Sequence, residues 1–182
     1  ALGAELAAET TPGLAEAGHN FYTLTGAQSL AKARTDLRQG RLVVLVAGIP
    51  FKCPAAPYEA AMLLKADARK RRVQERVSVD LYTPEPGPMP VAGPQVSAML
   101  RQVVEGTGVR LHTEHVVTKV DASARLIHFK NDTTAPYDLL AYVPPHRAPA
   151  VVRAAGLTGE SGWVPVNRQT LETKFPAVYA IG

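Results

Sequence analysis

The chain has 182 residues, 46% of them hydrophobic and 20% charged, enough for one full domain with pieces of a second and too apolar for a disordered segment. Its formal charge of +4 is mild, so it permits a nucleic-acid partner without indicating one, and no DNA- or RNA-binding motif is present. The apolar runs, such as Leu42 to Ala47, fall far short of the roughly twenty residues of a spanning helix, and one cysteine, Cys53, excludes an internal disulfide framework or a cysteine-rich metal site.

Ala1-Leu2-Gly3-Ala4 at one end and Ala177-Val178-Tyr179-Ala180-Ile181-Gly182 at the other read as apolar strand material, where domain boundaries are usually polar. The expectation is a sequence excised from a longer chain. Thr25-Gly26-Ala27-Gln28 fits a capping box, with Leu30, Ala33 and Leu37 at helical spacing, and predicts a helix over 26–39 that stops at Gly40. Arg41 to Ala47 is a branched and leucine-rich run of the kind buried on both faces of a parallel sheet. A proline-rich loop from Gly48 to Pro57 follows, then a helix over 58–74 with Pro57 in its first turn, then an alternating strand over 77–83 that ends at Pro84. Strand, helix and strand in that order predict an α/β, Rossmann-like domain with a parallel central sheet.

Gly93-Pro94 opens a further helix whose Val96, Met99, Leu100 and Val103 form one apolar face, closed by Gly106 and Gly108. A short strand over 109–112 should follow. Segments 116–120 and 126–129 flank a polar turn and read as an antiparallel hairpin or meander insertion. Residues 137–143 return as a buried strand ending at Pro144-Pro145, and a domain boundary is expected near His146, with turns at Gly156, Gly159 and Gly162 beyond it.

In a dinucleotide-binding βαβ unit the first strand leads into G-x-G-x-x-G, whose glycines let backbone amides approach a pyrophosphate. Here the same place holds Gly48-Ile49-Pro50-Phe51-Lys52-Cys53-Pro54-Ala55-Ala56-Pro57. Three prolines remove amide donors and fill space with rings. The acidic residue that should hold a ribose is displaced to Glu85, between Pro84 and Pro86. NAD(P) binding is therefore not expected. Cys53 stands beside Lys52 and just before a helix amino end, two features that stabilise negative charge at that position. A lone cysteine is commonly a small buried hydrophobe; its place at the carboxyl end of a parallel strand, where this architecture holds its ligands, makes Cys53 a candidate nucleophile.

The segments Phe51 to Glu59, Met89 to Gly93, Tyr142 to Pro149, Gly162-Trp163 and Val178 to Gly182 resemble the sulfide:quinone oxidoreductases and the related flavocytochrome c sulfide dehydrogenase flavoproteins, a branch of the FAD-dependent pyridine nucleotide-disulfide oxidoreductases. The resemblance implies that residues 1–24 and 148–182 are parts of an FAD-binding domain and 25–147 a second, NAD-type domain carrying the cysteine loop. It implies FAD as cofactor, with Leu2, Gly3, Lys52, Pro54, Ile181 and Gly182 beside it, and Cys53 over the flavin ring as the thiol that attacks sulfide-derived sulfur. Pro145 and His146 would border the substrate or acceptor pocket, and the electrons would pass to a quinone or a cytochrome. Sulfide-oxidising members use a second redox cysteine, which this sequence lacks, and the glycine fingerprint that grips FAD is likewise missing, so this piece alone is expected to bind no FAD. Contact with a membrane surface would come through segments outside it, and the resemblance leaves cytoplasmic, peripheral-membrane and periplasmic locations open.

His112 and His115, three apart on strand and turn, are not expected to share a face, and no metal site is expected. His146 and Arg147 suit a proton relay or an anion contact, although a plain loop pair is the commoner reading of such a position. Arg69 to Arg72 with Arg76 read as a solvated helix end complementing the macrodipole, with contact to anionic lipid as the alternative. Trp163 and Tyr179 are expected in a core. Two rival functions remain: an NAD(P)H-oxidising flavoprotein of NADH dehydrogenase or disulfide reductase type, and a catalytically silent docking domain presenting Pro84 to Pro94.

Overall fold

The structure, a computed structural model, describes residues 2–181. In chain order the elements begin with β1 (Glu5–Leu6), a 3-10 turn (Ala8–Thr10), α1 (Leu14–Ala17), β2 (His19–Asn20), α2 (Leu24–Asp36) and β3 (Gly40–Val46). There follow α3 (Ala56–Lys70), β4 (Val77–Tyr82), a 3-10 turn (Pro90–Ala92), α4 (Pro94–Gly106) and β5 (Arg110–His112). The last are β6 (Val117–Asp121), β7 (Leu126–Phe129), β8 (Thr134–Pro136), β9 (Leu139–Val143), β10 (His146–Arg147) and α5 (Ala150–Ala154). They fall into two compact units, one of residues 8–145 and one of 2–7 with 146–181.

The larger unit is built on a five-stranded parallel sheet in the order β2-β9-β3-β4-β5. β3 lies at its centre because Leu42 to Val46 has no polar side to turn to water. Leu42 and Val44 join one buried cluster with Leu64 of α3 and Val104 of α4, while Val43 and Leu45 join another with Ile127 and Phe129 of the antiparallel β6-β7-β8 meander. Alternate side chains thus meet helices on one face and a second sheet on the other; the α/β class with a parallel sheet is the one the sequence predicted, and the packing of the meander as a covering layer is added by the structure.

Several boundaries differ from expectation for identifiable reasons. α2 begins at Leu24, since Thr23 rather than Thr25 is the cap, its Oγ1 accepting from Gly26 N at 3.1 Å. Gly40 does not stop α2 but opens β3, where a Cβ would lie 2.3 Å from Asp138 Oδ2. α3 starts two residues before 58 and ends at Lys70, short of 74. The insertion has a third strand, β8, and β9 starts at Leu139 because Tyr137 N is bonded to Arg125 O in the meander. On α4, Val104 is buried and Leu100 packs beside it, but Val96, Met99 and Val103 remain exposed, since only the i, i+4 pair faces the sheet. Residues 8–24, which the family resemblance assigns to an FAD-binding domain together with residues 1–7, instead supply β2 to the central sheet and the fully buried Leu14 to its meander-side core.

In the smaller unit β1 and β10 pair antiparallel, Glu5 opposite Arg147 and Leu6 opposite His146. Glu5 ties it together: its carboxylate accepts from Ala150 N at 2.5 Å, Arg147 Nε at 3.0 Å and Arg153 Nη1 at 3.1 Å. These bonds, that from Ala150 foremost, bring its pKa to about 2. Gly156 and Gly162, both with positive φ, and Gly159 occupy turns. Tyr179, expected in a core, is exposed; it forms a lone bridge with Glu172 rather than a strand in a packed sheet. Trp163 is half-buried. Among the described residues no helix is long and apolar enough to cross a membrane.

Candidate functional site

All five strands of the central sheet point their carboxyl ends the same way, so the turns after β2, β3, β4 and β9 share one edge. The turn after β3 is the Cys53 loop. Ala47 N still holds Val143 O at 2.9 Å, and Gly48 then passes so close to Pro145 that a Cβ would lie 3.2 Å from the proline ring. The Ile49–Pro50 peptide is cis, Phe51 is half-buried, and Lys52 and Cys53 are exposed. Cys53 has φ 56°, the left-handed region that an L-residue with a side chain enters only under restraint. The turn closes with Ala56 N donating to Cys53 O at 3.0 Å, and Pro57 follows in the first turn of α3.

That geometry takes several donors away from the place where a phosphate cradle would stand. Of the amides that would line one, those at 50, 54 and 57 belong to prolines, and Ala56 N is bonded to Cys53 O. Glu85 is not turned toward a ribose either. It is buried, accepting from Tyr58 Oη at 2.5 Å and from Thr83 Oγ1 at 3.2 Å, both on Oε2, and burial pushes its carboxyl above the ordinary range. The acidic position of the dinucleotide fingerprint has become a strut between β4 and α3.

Tyr22 was not singled out by the sequence. It lies in the turn between β2 and α2, and its hydroxyl donates to Lys52 O at 2.7 Å and lies 3.4 Å from Cys53 O. The Lys52 ammonium lies 5.9 Å from the centre of its ring. Burial, reinforced by the nearness of Cys53, raises the phenol pKa, so it remains a donor. Asn20-Phe21-Tyr22-Thr23 carries a visible cap signal, but no spacing rule links residue 22 to a loop thirty residues on.

Other predicted residues are distributed as follows. Lys52, Cys53 and Pro54 sit together on the β3 loop, and Pro145 packs against Gly48 at its start. Leu2, Gly3 and Ile181 belong to the smaller unit, as does His146 in β10; Gly182 lies outside the described residues. Leu2 and Ile181 are 71% and 65% exposed, and a Cβ on Gly3 would meet nothing. His112 and His115, expected on different faces, come together: Glu114 takes a positive φ, and the two imidazoles lie 5.9 Å apart, His112 stacked on Tyr82 at 4.2 Å. They hold no metal set. His112 Nε2 donates to the buried Asp80 at 2.9 Å, His115 Nδ1 donates to Thr113 O at 2.6 Å, and no group of three candidate ligands exists among the described residues.

The basic residues act as helix ends require. Arg69 donates to Thr107 O at the end of α4, and Arg71 to Leu37 O at the end of α2. A cleft of about 730 Å³ lies at the opposite edge of the sheet, lined by Arg41, Arg76, Arg110, Arg125, Glu75 and Asp138. Two of its arginines neutralise Asp80, and the helices end on that side, so its charge has a structural explanation.

The family model described as pyridine nucleotide-disulphide oxidoreductase matches residues 1–182. The chain is similar to the mitochondrial sulfide:quinone oxidoreductase of Mus musculus, 26% identical over 195 residues that cover all of this chain and 43% of that protein. It is 31% identical over 139 residues to the mitochondrial sulfide:quinone oxidoreductase of Schizosaccharomyces pombe, covering 72% of this chain and 30% of that one. The chain thus spans less than half the length of these relatives. Its fold matches the crystal structure of the sulfide:quinone oxidoreductase from Aquifex aeolicus with TM-score 0.73 and 21% identity, over 91% of this chain and 41% of that one.

Proposed function

The chain belongs to the pyridine nucleotide-disulphide oxidoreductase family, and on that footing we propose that it carries the sulfur-handling thiol of a flavin-dependent oxidoreductase that oxidises sulfide or a persulfide and delivers the electrons to quinone. One observation carries the reading: an exposed cysteine, held in a left-handed conformation, stands at the carboxyl edge of the parallel sheet where a dinucleotide-binding member would present glycines.

In the proposed chemistry the Cys53 thiolate and a hydrosulfide ion join through a new S–S bond. The products are a Cys53 persulfide anion, one proton and two electrons. FAD supplies the two-electron sink. Transfer of the outer sulfur to a second thiol or sulfide restores Cys53, and the electron pair goes on to the quinone. Lys52 provides a positive charge next to the thiolate and the persulfide. Pro50, Pro54 and Pro57 keep a nicotinamide cofactor's phosphates out of the loop. Leu2 and Ile181, apolar and largely uncovered, and Gly3, with open space where a Cβ would stand, suit the edge of a flat aromatic cofactor.

Cys53→Ser in the flavin-loaded holoenzyme tests the assignment. Sulfide-dependent bleaching of the flavin should slow by about a hundredfold or more, the scale expected for removing a reacting group, while chemical reduction of the flavin by dithionite is unchanged. Sulfide turnover at the wild-type rate would overturn the role of Cys53, and bleaching by NADH in place of sulfide would overturn the choice of donor.

A further inference from the structure

The left-handed backbone at Cys53 has to be held from outside the residue, because relaxation toward the ordinary φ range is downhill for any residue with a Cβ. The Ala56 N bond to Cys53 O closes the turn on one side. On the other, the chain between Gly48 and Cys53 contains no regular element. Tyr22 reaches it there from the β2–α2 turn, thirty residues earlier, and bonds the carbonyl immediately preceding Cys53. We propose that Tyr22 is a positioning residue for Cys53: its hydroxyl, donating to Lys52 O and lying within 3.4 Å of Cys53 O, fixes the backbone on which the thiol is presented.

Tyr22 is itself braced on every bond that matters. Its own amide donates to Asn20 Oδ1 at 3.0 Å, and Thr23 Oγ1 donates to Asn20 O at 3.1 Å while capping α2 through Gly26 N. Its neighbour Phe21 packs against the helix-side core. The phenol therefore transmits the rigidity of the sheet and α2 to a loop that has little of its own. The raised phenol pKa, caused first by burial and then by Cys53, keeps the proton on this hydroxyl. The ring adds a separate contact, lying under the Lys52 ammonium. Removing the hydroxyl and keeping the ring isolates the clamp from that contact.

The inference deepens the proposed role of Cys53 and rests on it only for the turnover measurement. Two readouts on Tyr22→Phe in the flavin-loaded holoenzyme separate the cases. The rate of Cys53 alkylation by iodoacetamide, followed by mass and taken on its high-pH plateau, should fall by about threefold or more, and kcat for sulfide should fall by about tenfold with KM unchanged, since a thiol displaced by a fraction of an ångström still meets its substrate but reacts less often. Asn20→Ala, which loosens the Tyr22 turn without touching the loop, should slow alkylation in the same direction. Alkylation in Tyr22→Phe as fast as in wild type would overturn the clamp whatever the substrate is. Slowed alkylation with sulfide turnover that survives Cys53→Ser would uphold the clamp and reject the sulfide reading instead. A variant that merely loses thermal stability, with the plateau rate and kcat of its folded fraction intact, would also overturn it.

Discussion

Tyr58 donates its hydroxyl proton to Glu85 at 2.5 Å, and the two side chains, buried at 1% and 5% exposure, join the first turns of α3 to the segment after β4. The arrangement puts a carboxyl group in the interior with Thr83 as its other hydrogen-bond partner on the same oxygen. Burial penalises the charged form, and the two donors offset that only in part, so the carboxyl titrates above its ordinary value of 4.5.

The sign of the pH effect follows. An acid that holds its proton more tightly in the folded state contributes stability fully below the unfolded pKa and loses that contribution as pH rises through the folded value. Glu85→Gln keeps an acceptor for Tyr58 and Thr83 and removes the ionisation. Its melting temperature should exceed that of wild type near about pH 8 and converge with it near about pH 4. Melts with a pH-independent difference would show that Glu85 is not the titrating group. Tyr58→Phe, which leaves the carboxyl short of a donor, should cost about 1–3 kcal/mol in urea titration.

Asp80 runs the opposite way. Burial would raise its carboxyl, but hydrogen bonds from His112 and Arg110, with the charges of both, prevail and hold it below its ordinary 3.8. Its contribution is present above the unfolded value and is lost as pH falls through the folded one. Arg110 grips it with Nε and Nη2 at 2.8 and 2.6 Å, and Arg41 lies 3.7 Å away. Both arginines keep partial contact with water, so their charges are not stranded when the aspartate is neutralised. Asp80→Asn should therefore lose about 1–3 kcal/mol at neutral pH rather than the full penalty of a broken interior pair. The loss should shrink in titrations at acidic pH.

The turn that carries Tyr22 depends on one missing side chain. A Cβ at Gly26 would stand 1.9 Å from Asn20 O, so any larger residue must push α2 away from β2. Gly26→Ala should cost about 3 kcal/mol, at the upper end of single substitutions. Thr23→Ala, which loses only the cap, should cost about 1 kcal/mol. Equal losses in the two variants, measured by denaturant unfolding, would mean that the close approach is relieved by a small shift.

The elements legible in the sequence are those fixed by strong local patterns. The unbroken apolar run of β3 and the proline punctuation after β4 and β9 place the core of the sheet within a residue or two, because hydrophobic periodicity and missing amides are local facts. Cys53 stood out by displacing a fingerprint whose chemistry is understood. What the sequence concealed depends on contacts between distant segments. β1 and β2 are two residues each and exist only through pairing with β10 and β9. Tyr22 matters through a bond to residue 52, and His112 and His115 meet through a positive φ at Glu114 that no pattern announces. Tyr179 misled for the converse reason: an apolar, alternating segment predicts burial only where a second layer covers it.

β9 sits between β2 and β3, although the chain makes it long after both. On a ribosome β3 can pair with β4 soon after α3 has emerged, yet its other edge, along Leu42 to Val46, has no mate until Leu139 to Val143 has been synthesised. During that interval β2 has no partner strand, only its packing against α2. Among the described residues the parallel sheet is thus closed from within by the latest of its own five strands, and its most apolar strand must wait with one edge open until that counterpart has been translated.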